Sequence, residues 1–121
     1  MKIHASSEDY LERILMIKKE KGKVRAIDIA HSMNFSKPSV SIAMKKLLEN
    51  GLITISDDSN IDLTDKGLEI AQSIYERHEV ISNMLISIGV NEEIARKDAC
   101  KIEHDLSEES FQALKNYYLK K

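Results

Sequence analysis

The chain has 121 residues, 31% charged and 42% hydrophobic at a net charge of −2, which suits one soluble domain or two small ones sharing a core, and its single proline and four glycines favour helix. One cysteine excludes an internal disulfide and fits a reducing cytosol. No run is apolar enough to span a bilayer, and the opening residues lack the apolar stretch of a signal peptide, so a cytoplasmic protein without a membrane partner is expected.

The first predicted helix starts near Ser7, which can cap it, and places Glu8 and Asp9 at the positive end of its dipole. Tyr10, Leu11, Ile14, Leu15 and Ile17 give it an apolar stripe to Lys21, and Gly22 ends it. Val24 to Met33 reads as a short helix with Ile27, Ala30 and Met33 inward. Asn34-Phe35-Ser36 comes next as a turn, where asparagine tolerates the left-handed backbone. Ser36 caps the next helix and Pro38 stands in its first turn, where a missing N–H costs nothing. That helix carries Val40, Met44, Leu47 and Leu48, and stops at Asn50-Gly51.

Ala30, Asn34 and Val40 are spaced as in a helix-turn-helix, with a small residue at the helix crossing and a branched one packed between the helices. The exposed face of the second helix then holds Ser36, Lys37, Pro38, Ser39, Ser41, Lys45 and Lys46. Its hydroxyls and cations suit phosphates and base edges. The same pattern also fits an ordinary helical hairpin with a lysine-rich surface. The next residues favour DNA: Leu52–Ser56 and Ile61–Thr64 alternate as two strands about an Asp57–Asn60 turn, a wing. Charge agrees. Residues 1–50 hold ten Lys/Arg against six Asp/Glu, and residues 51–121 hold eight against fourteen, so a polyanion is expected to meet the front half.

A long helix is predicted over about 65–88, capped by Thr64 or Asp65 and ended by Gly89, with Leu68, Ala71, Ile74, Ile81, Leu85 and Ile88 at helical spacing. So apolar a helix in so short a chain is expected to bury surface against a second copy. Asn91 caps a further helix containing Ile94, Ala95, Ala99, Ile102 and Leu106. Ser107 opens the last one through Phe111, Leu114 and Tyr118. The fold expected is mainly α with a small β-hairpin: a winged helix-turn-helix domain over 1–64, then a helical dimerisation domain over 65–121.

On the penultimate helix Cys100, Glu103 and His104 stand at i, i+3 and i+4, so a thiolate, a carboxylate and an imidazole share one face. Such a set suits a transition ion. Glu-His pairs also occur on solvated helices, and His78 alone reads more readily as a packed or surface residue. Asp9 and Glu12 repeat the carboxylate spacing, though dipole stabilisation explains two acids on their own.

Taken together, Glu8-Asp9-Tyr10-Leu11-Glu12, the winged helix-turn-helix, Glu76-Arg77-His78-Glu79 and Cys100-Lys101-Ile102-Glu103-His104 resemble the diphtheria-toxin-repressor family of metal-dependent transcriptional regulators. The likeness is strongest to its short manganese-transport branch and covers nearly the whole chain. It implies a DNA-binding domain, a dimerisation domain and a divalent metal, Mn2+ or Fe2+, as corepressor. It implies metal ligation by Asp9, Glu12, His78, Cys100, Glu103 and His104. Cys100 stands where the manganese branch has glutamate and the iron branch cysteine, and Asp9 stands where the iron branch usually has methionine. The ancillary site of the iron branch would want a carboxylate at Ser82 and a histidine at Arg96, so it is expected to be absent. The chain also stops before that branch's SH3-like domain would begin. The function implied is metal-dependent repression at a near-palindromic operator by a homodimer, with no small organic substrate. Two alternatives stand beside it, a winged-helix regulator sensing redox through Cys100 and a small metalloenzyme. No phosphate loop or oxyanion loop supports the enzyme.

Overall fold

The computed structural model describes residues 7–120. The outermost residues of the two expected domains, 1–6 and Lys121, lie outside the described residues. Among the described residues six helices and one two-stranded sheet run in this order: α1 (Ser7–Lys21), α2 (Ala26–Met33), α3 (Lys37–Glu49), β1 (Ile53–Ile55), β2 (Ile61–Leu63), α4 (Asp65–Ser87), α5 (Glu92–Ile102) and α6 (Glu108–Leu119). Two compact units divide within α4, after Gln72.

In the N-terminal unit α1, α2 and α3 pack on one another, and the hairpin lies against α1 and α3. Leu11, Ile14, Val24, Ile29, Val40, Leu47, Ile53 and Ile61 are nearly inaccessible. The inward residue of α2 is Ile29 rather than Ile27, because the helix starts at Ala26 and this phase places Ile29 beside Ala30. Leu48 also turns outward, at 44% exposure. Asn34 takes the left-handed conformation expected of it, with φ 59° and ψ 44°. Ser36 caps α3 by accepting from the Ser39 N–H at 3.3 Å. β1 and β2 are antiparallel, with Thr54 opposite Asp62. The hairpin is tied to the chain before α2: Ile61 N–H donates to Val24 O at 2.7 Å and Val24 N–H to Asn60 Oδ1 at 3.1 Å.

The join from hairpin to α4 is a small knot of backbone and one hydroxyl. Thr64 Oγ1 donates to Gly51 O at 2.7 Å and accepts from Gly67 N–H at 3.1 Å, which caps the helix as expected. Thr64 N–H donates to Leu52 O at 3.0 Å. Gly67 is pressed against the same carbonyl: a β-carbon there would lie 2.0 Å from Leu52 O.

The C-terminal unit is differently made. Its buried set includes Arg77, His78, Ser82 and Glu103 beside Ile74, Ile81, Ala95, Ala99 and Phe111. Several of its large apolar residues face outward instead, namely Ile88 at 74%, Ile94 at 54% and Leu119 at 63%. Ile94 and Ile102 are therefore not core residues. The expected extension of α5 through Leu106 also fails. The helix ends at Ile102, and residues 103–105 form a turn before Ser107 caps α6 by accepting from Ser110 N–H at 3.0 Å.

Candidate metal centre and nucleic-acid interface

Four consecutive residues of α4 each reach α5, α6 or the turn between them. Glu76 pairs with Lys115 of α6. Arg77 donates from Nη1 to Glu103 O at 2.9 Å and to Leu106 O at 2.7 Å. His78 Nδ1 lies 3.0 Å from Glu103 Oε1 and 3.8 Å from Cys100 Sγ. Glu79 lies 3.5 Å from Arg96 of α5. A helix turns about 100° per residue, so successive side chains fan outward, and α4 is packed around much of its circumference here.

His78, Cys100 and Glu103 therefore come together, with one ligand atom from each within 4.8 Å of the others. His104 stands in the same turn, its Nε2 3.4 Å from Glu103 Oε2. The group is formed by the end of α5 and the turn beyond it, not by one continuous helical face. Asp9 and Glu12 belong to the N-terminal unit, one turn apart on α1, where Glu12 is buried at 6% exposure.

The electrostatics of the cluster suit a cation. Glu103 is fully buried, and its Oε2 has no hydrogen-bond partner among the described residues. A buried carboxylate oxygen without a hydrogen bond costs roughly 1–3 kcal/mol, or more when charged, unless a cation meets it. His104 Nε2 at 3.4 Å is the nearby group that the structure gives it. The Cys100 sulfur and then the Glu103 carboxylate hold the His78 imidazole protonated, with its pKa pushed up to about 10 against the opposing effect of burial. An imidazole, a sulfur and a carboxylate form the mixed donor set of a transition ion, and an extra proton occupies the place of one positive charge.

That raised value sets the sign of a pH effect. Protonated His78 stabilises the folded apoprotein fully below its unfolded pKa of about 6.5, and this contribution is lost as pH rises through about 10. In chelator, the urea midpoint of the natural chain is expected to fall between pH 7 and pH 10. His78→Gln should show a flatter profile over the same range. Parallel profiles for the two chains would contradict the assignment.

At the other unit, Ser36, Lys37, Pro38, Ser39, Ser41, Lys45 and Lys46 are all exposed, along α3 and its cap. Ser39 Oγ and Ser36 Oγ are 3.0 Å apart, so these two hydroxyls form one polar step at the helix start. Ile42, 61% exposed on the same helix, is outside the set expected from sequence. A spacing argument seeks polar readers and passes over an apolar one, although a branched methyl suits a thymine methyl. The wing tip is acidic. Asp58 accepts from Ser56 Oγ, which with the Asn60 N–H holds its carboxyl below the usual carboxylate range, and Lys23 lies 3.7 Å away. Arg77 is the other residue missed. Arginine in a helix reads as surface, and nothing local reveals that its partners lie 26 and 29 positions away.

Comparison with known proteins agrees with both halves. The description "Iron dependent repressor, N-terminal DNA binding domain" matches residues 2–61, and "Iron dependent repressor, metal binding and dimerisation domain" matches residues 64–120. The chain is 38% identical over 108 residues to the transcriptional regulator MntR of Escherichia coli O157:H7, covering 89% of this chain and 70% of that one. It is also 38% identical over 112 residues to an uncharacterized HTH-type transcriptional regulator of Methanocaldococcus jannaschii, covering 91% and 90%. Among solved structures it resembles the manganese regulator SloR with a TM-score of 0.84 and 28% identity, covering 95% of this chain and 54% of that one. The chain thus spans about half the length of that solved relative. No comparison favours a thiol sensor or an enzyme. With a helix-turn-helix, a mixed-donor cluster and both family descriptions matched in sequence order, the chain belongs to the iron-dependent repressor family of metal-dependent, DNA-binding transcriptional regulators, a family of regulators and not of enzymes.

Proposed function

We propose that this chain is a repressor of metal-homeostasis genes, acting in the cytoplasm as a homodimer on a near-palindromic operator, with Mn2+ or Fe2+ as corepressor. The observation that carries the reading is the meeting of His78, Cys100 and Glu103, with Glu103 Oε2 buried, without a hydrogen bond among the described residues, and 3.4 Å from His104 Nε2. His78, Cys100, Glu103 and His104 would hold the ion, joined by Asp9 and Glu12 from the N-terminal unit as the family resemblance implies. When bound, the ion supplies the positive charge that this acidic donor set lacks.

The chain's own residues do the rest. His78 gives up its extra proton and offers a ring nitrogen. Glu103 presents its buried Oε2, beside His104 Nε2. Carboxylates drawn toward one ion repel one another in its absence, so the charges of Asp9, Glu12 and Glu103 favour arrangements of the apoprotein other than the DNA-binding one. Relief of that repulsion raises the binding-competent population, and by linkage DNA tightens metal binding in return. Lys37, Lys45 and Lys46 supply salt-dependent affinity for phosphates, while Ser39, Ser41 and Ile42 face base edges. The outward apolar residues of the C-terminal unit, Ile88, Ile94 and Leu119 among them, support pairing with a second copy. The metal is narrowed by donor type. Carboxylates and imidazoles serve both ions, and the sulfur of Cys100 draws the preference toward Fe2+ over Mn2+.

The test is anaerobic fluorescence anisotropy on DNA from the promoter of the protein's own gene, in chelator, Mn(II) and Fe(II) at fixed salt. Binding with either ion and none in chelator is expected. Equal binding in chelator would remove the corepressor role from the cluster.

A further inference from the structure

We propose that Arg77 is the positioning residue of the metal centre, fixing the turn that carries Glu103 and His104 against the helix that carries His78. This rests on the metal-centre reading above. Arg77 itself is not a ligand, since a guanidinium keeps its protons and offers no lone pair.

The last carbonyls of a helix have no partners within it, and where α5 stops the residues after Ile102 must find some. Within the turn, Glu103 N–H donates to Ala99 O at 2.9 Å and Asp105 N–H to Ile102 O at 3.0 Å, which leaves the carbonyls of Glu103 and Leu106 to be met from outside. One nitrogen of Arg77 meets both, at 2.9 and 2.7 Å, and so clamps the turn at its two ends. The second nitrogen lies 3.1 Å from Glu108 Oε1 in the first turn of α6. The guanidinium carbon lies 5.0 Å from the centroid of the Phe111 ring, which is itself 2% exposed. A planar group with two bonded edges and a covered face has little freedom to rotate.

The geometry also links clamp to ligands. Arg77 grips the backbone carbonyl of the residue whose carboxylate faces His78, and Arg77 and His78 are neighbours on α4. One stretch of helix therefore sets both the imidazole and the frame of the carboxylate. A lysine at position 77 would keep the charge but lose the planar fork that holds the two carbonyls and Glu108 together.

A purely structural role predicts something different, and Co(II) separates the two. The probe is the full chain titrated anaerobically with Co(II), read by the sulfur-to-metal charge-transfer band, beside urea unfolding of the apoprotein. Arg77→Lys is expected to weaken Co(II) binding about 10-fold or more and to shift the band. Glu108→Ala removes only the exposed arm of the clamp and should cost a few-fold while staying folded. Lys115→Met breaks the pair between Lys115 of α6 and Glu76, the neighbour of Arg77 on α4; it should lower the unfolding midpoint and leave Co(II) affinity and band unchanged. Arg77→Lys with the affinity and spectrum of the natural chain would overturn the proposal. So would Co(II) affinity falling across all three variants in step with their stability. If the natural chain itself bound no Co(II), the metal-centre reading would fall, and this inference with it.

Discussion

Glu103→Gln is expected to weaken Mn(II) or Fe(II) binding by about 100-fold or more while leaving the apoprotein folded, on the scale set by substitutions of outer partners of metal ligands, which already cost about 10–100-fold. The amide copies the shape of the carboxylate. Its oxygen can still face His78 Nδ1, which lies 3.0 Å from Glu103 Oε1. What goes is the negative charge of a fully buried group whose Oε2 has no hydrogen-bond partner among the described residues. Apoprotein stability should fall, because His78 loses one of the two groups that hold its proton, and the removal of a poorly satisfied buried charge offsets part of that loss. His78→Ala is the poorer experiment, since it strands the carboxylate and mixes unfolding with lost ligation. Calorimetric titration with Mn(II) checks the affinity, and metal-dependent anisotropy on DNA should fail in parallel. An unchanged metal affinity would remove Glu103 from the ligand set.

Gly67→Ala should destabilise the N-terminal unit by about 3 kcal/mol, the upper end for overpacking at a rigid contact. The direction of the change is informative. Position 67 is inside α4, where alanine is ordinarily better than glycine by up to about 1 kcal/mol. Helix propensity alone therefore predicts a more stable protein. Against it stands a β-carbon 2.0 Å from Leu52 O and 3.0 Å from Leu52 C. These are backbone atoms, and Leu52 O is already engaged by Thr64 N–H at 3.0 Å. Relief of the clash would have to break that bond or displace the start of α4 from its Thr64 cap. Urea unfolding, read on the full chain by far-ultraviolet circular dichroism, measures the change. A midpoint at or above that of the natural chain would mean that the contact yields easily.

The N-terminal half is readable in the sequence because its signals are local. A left-handed Asn34, a capping Ser36 and an early Pro38 each act within four residues of their own position, and the alternation of Ile53, Ile55, Ile61 and Leu63 is visible in the string. The metal cluster is readable in kind, through the residue types at 100, 103 and 104, but not in form. Spacing places them on one helical face, whereas α5 stops at Ile102 and Arg77 holds the turn beyond it. Nothing in the neighbourhood of Arg77 announces a contact with Leu106. Gly67 escapes for a related reason: its backbone is ordinary helix, and only the approach of Leu52 from outside the helix makes glycine necessary. Ile29 and Ile27 are equally apolar, and helix phase, which the string fixes only to within a residue or two, decides between them.

The inverted make-up of the C-terminal unit has a consequence for how the protein is governed. Charged and polar groups sit inside it while isoleucine, leucine and tyrosine side chains face out, so much of the usual driving force for folding is withheld until something covers them. Mass action then makes stability depend on how many copies are present as well as on the ion. The expected sign of that dependence is a urea midpoint that rises with protein concentration.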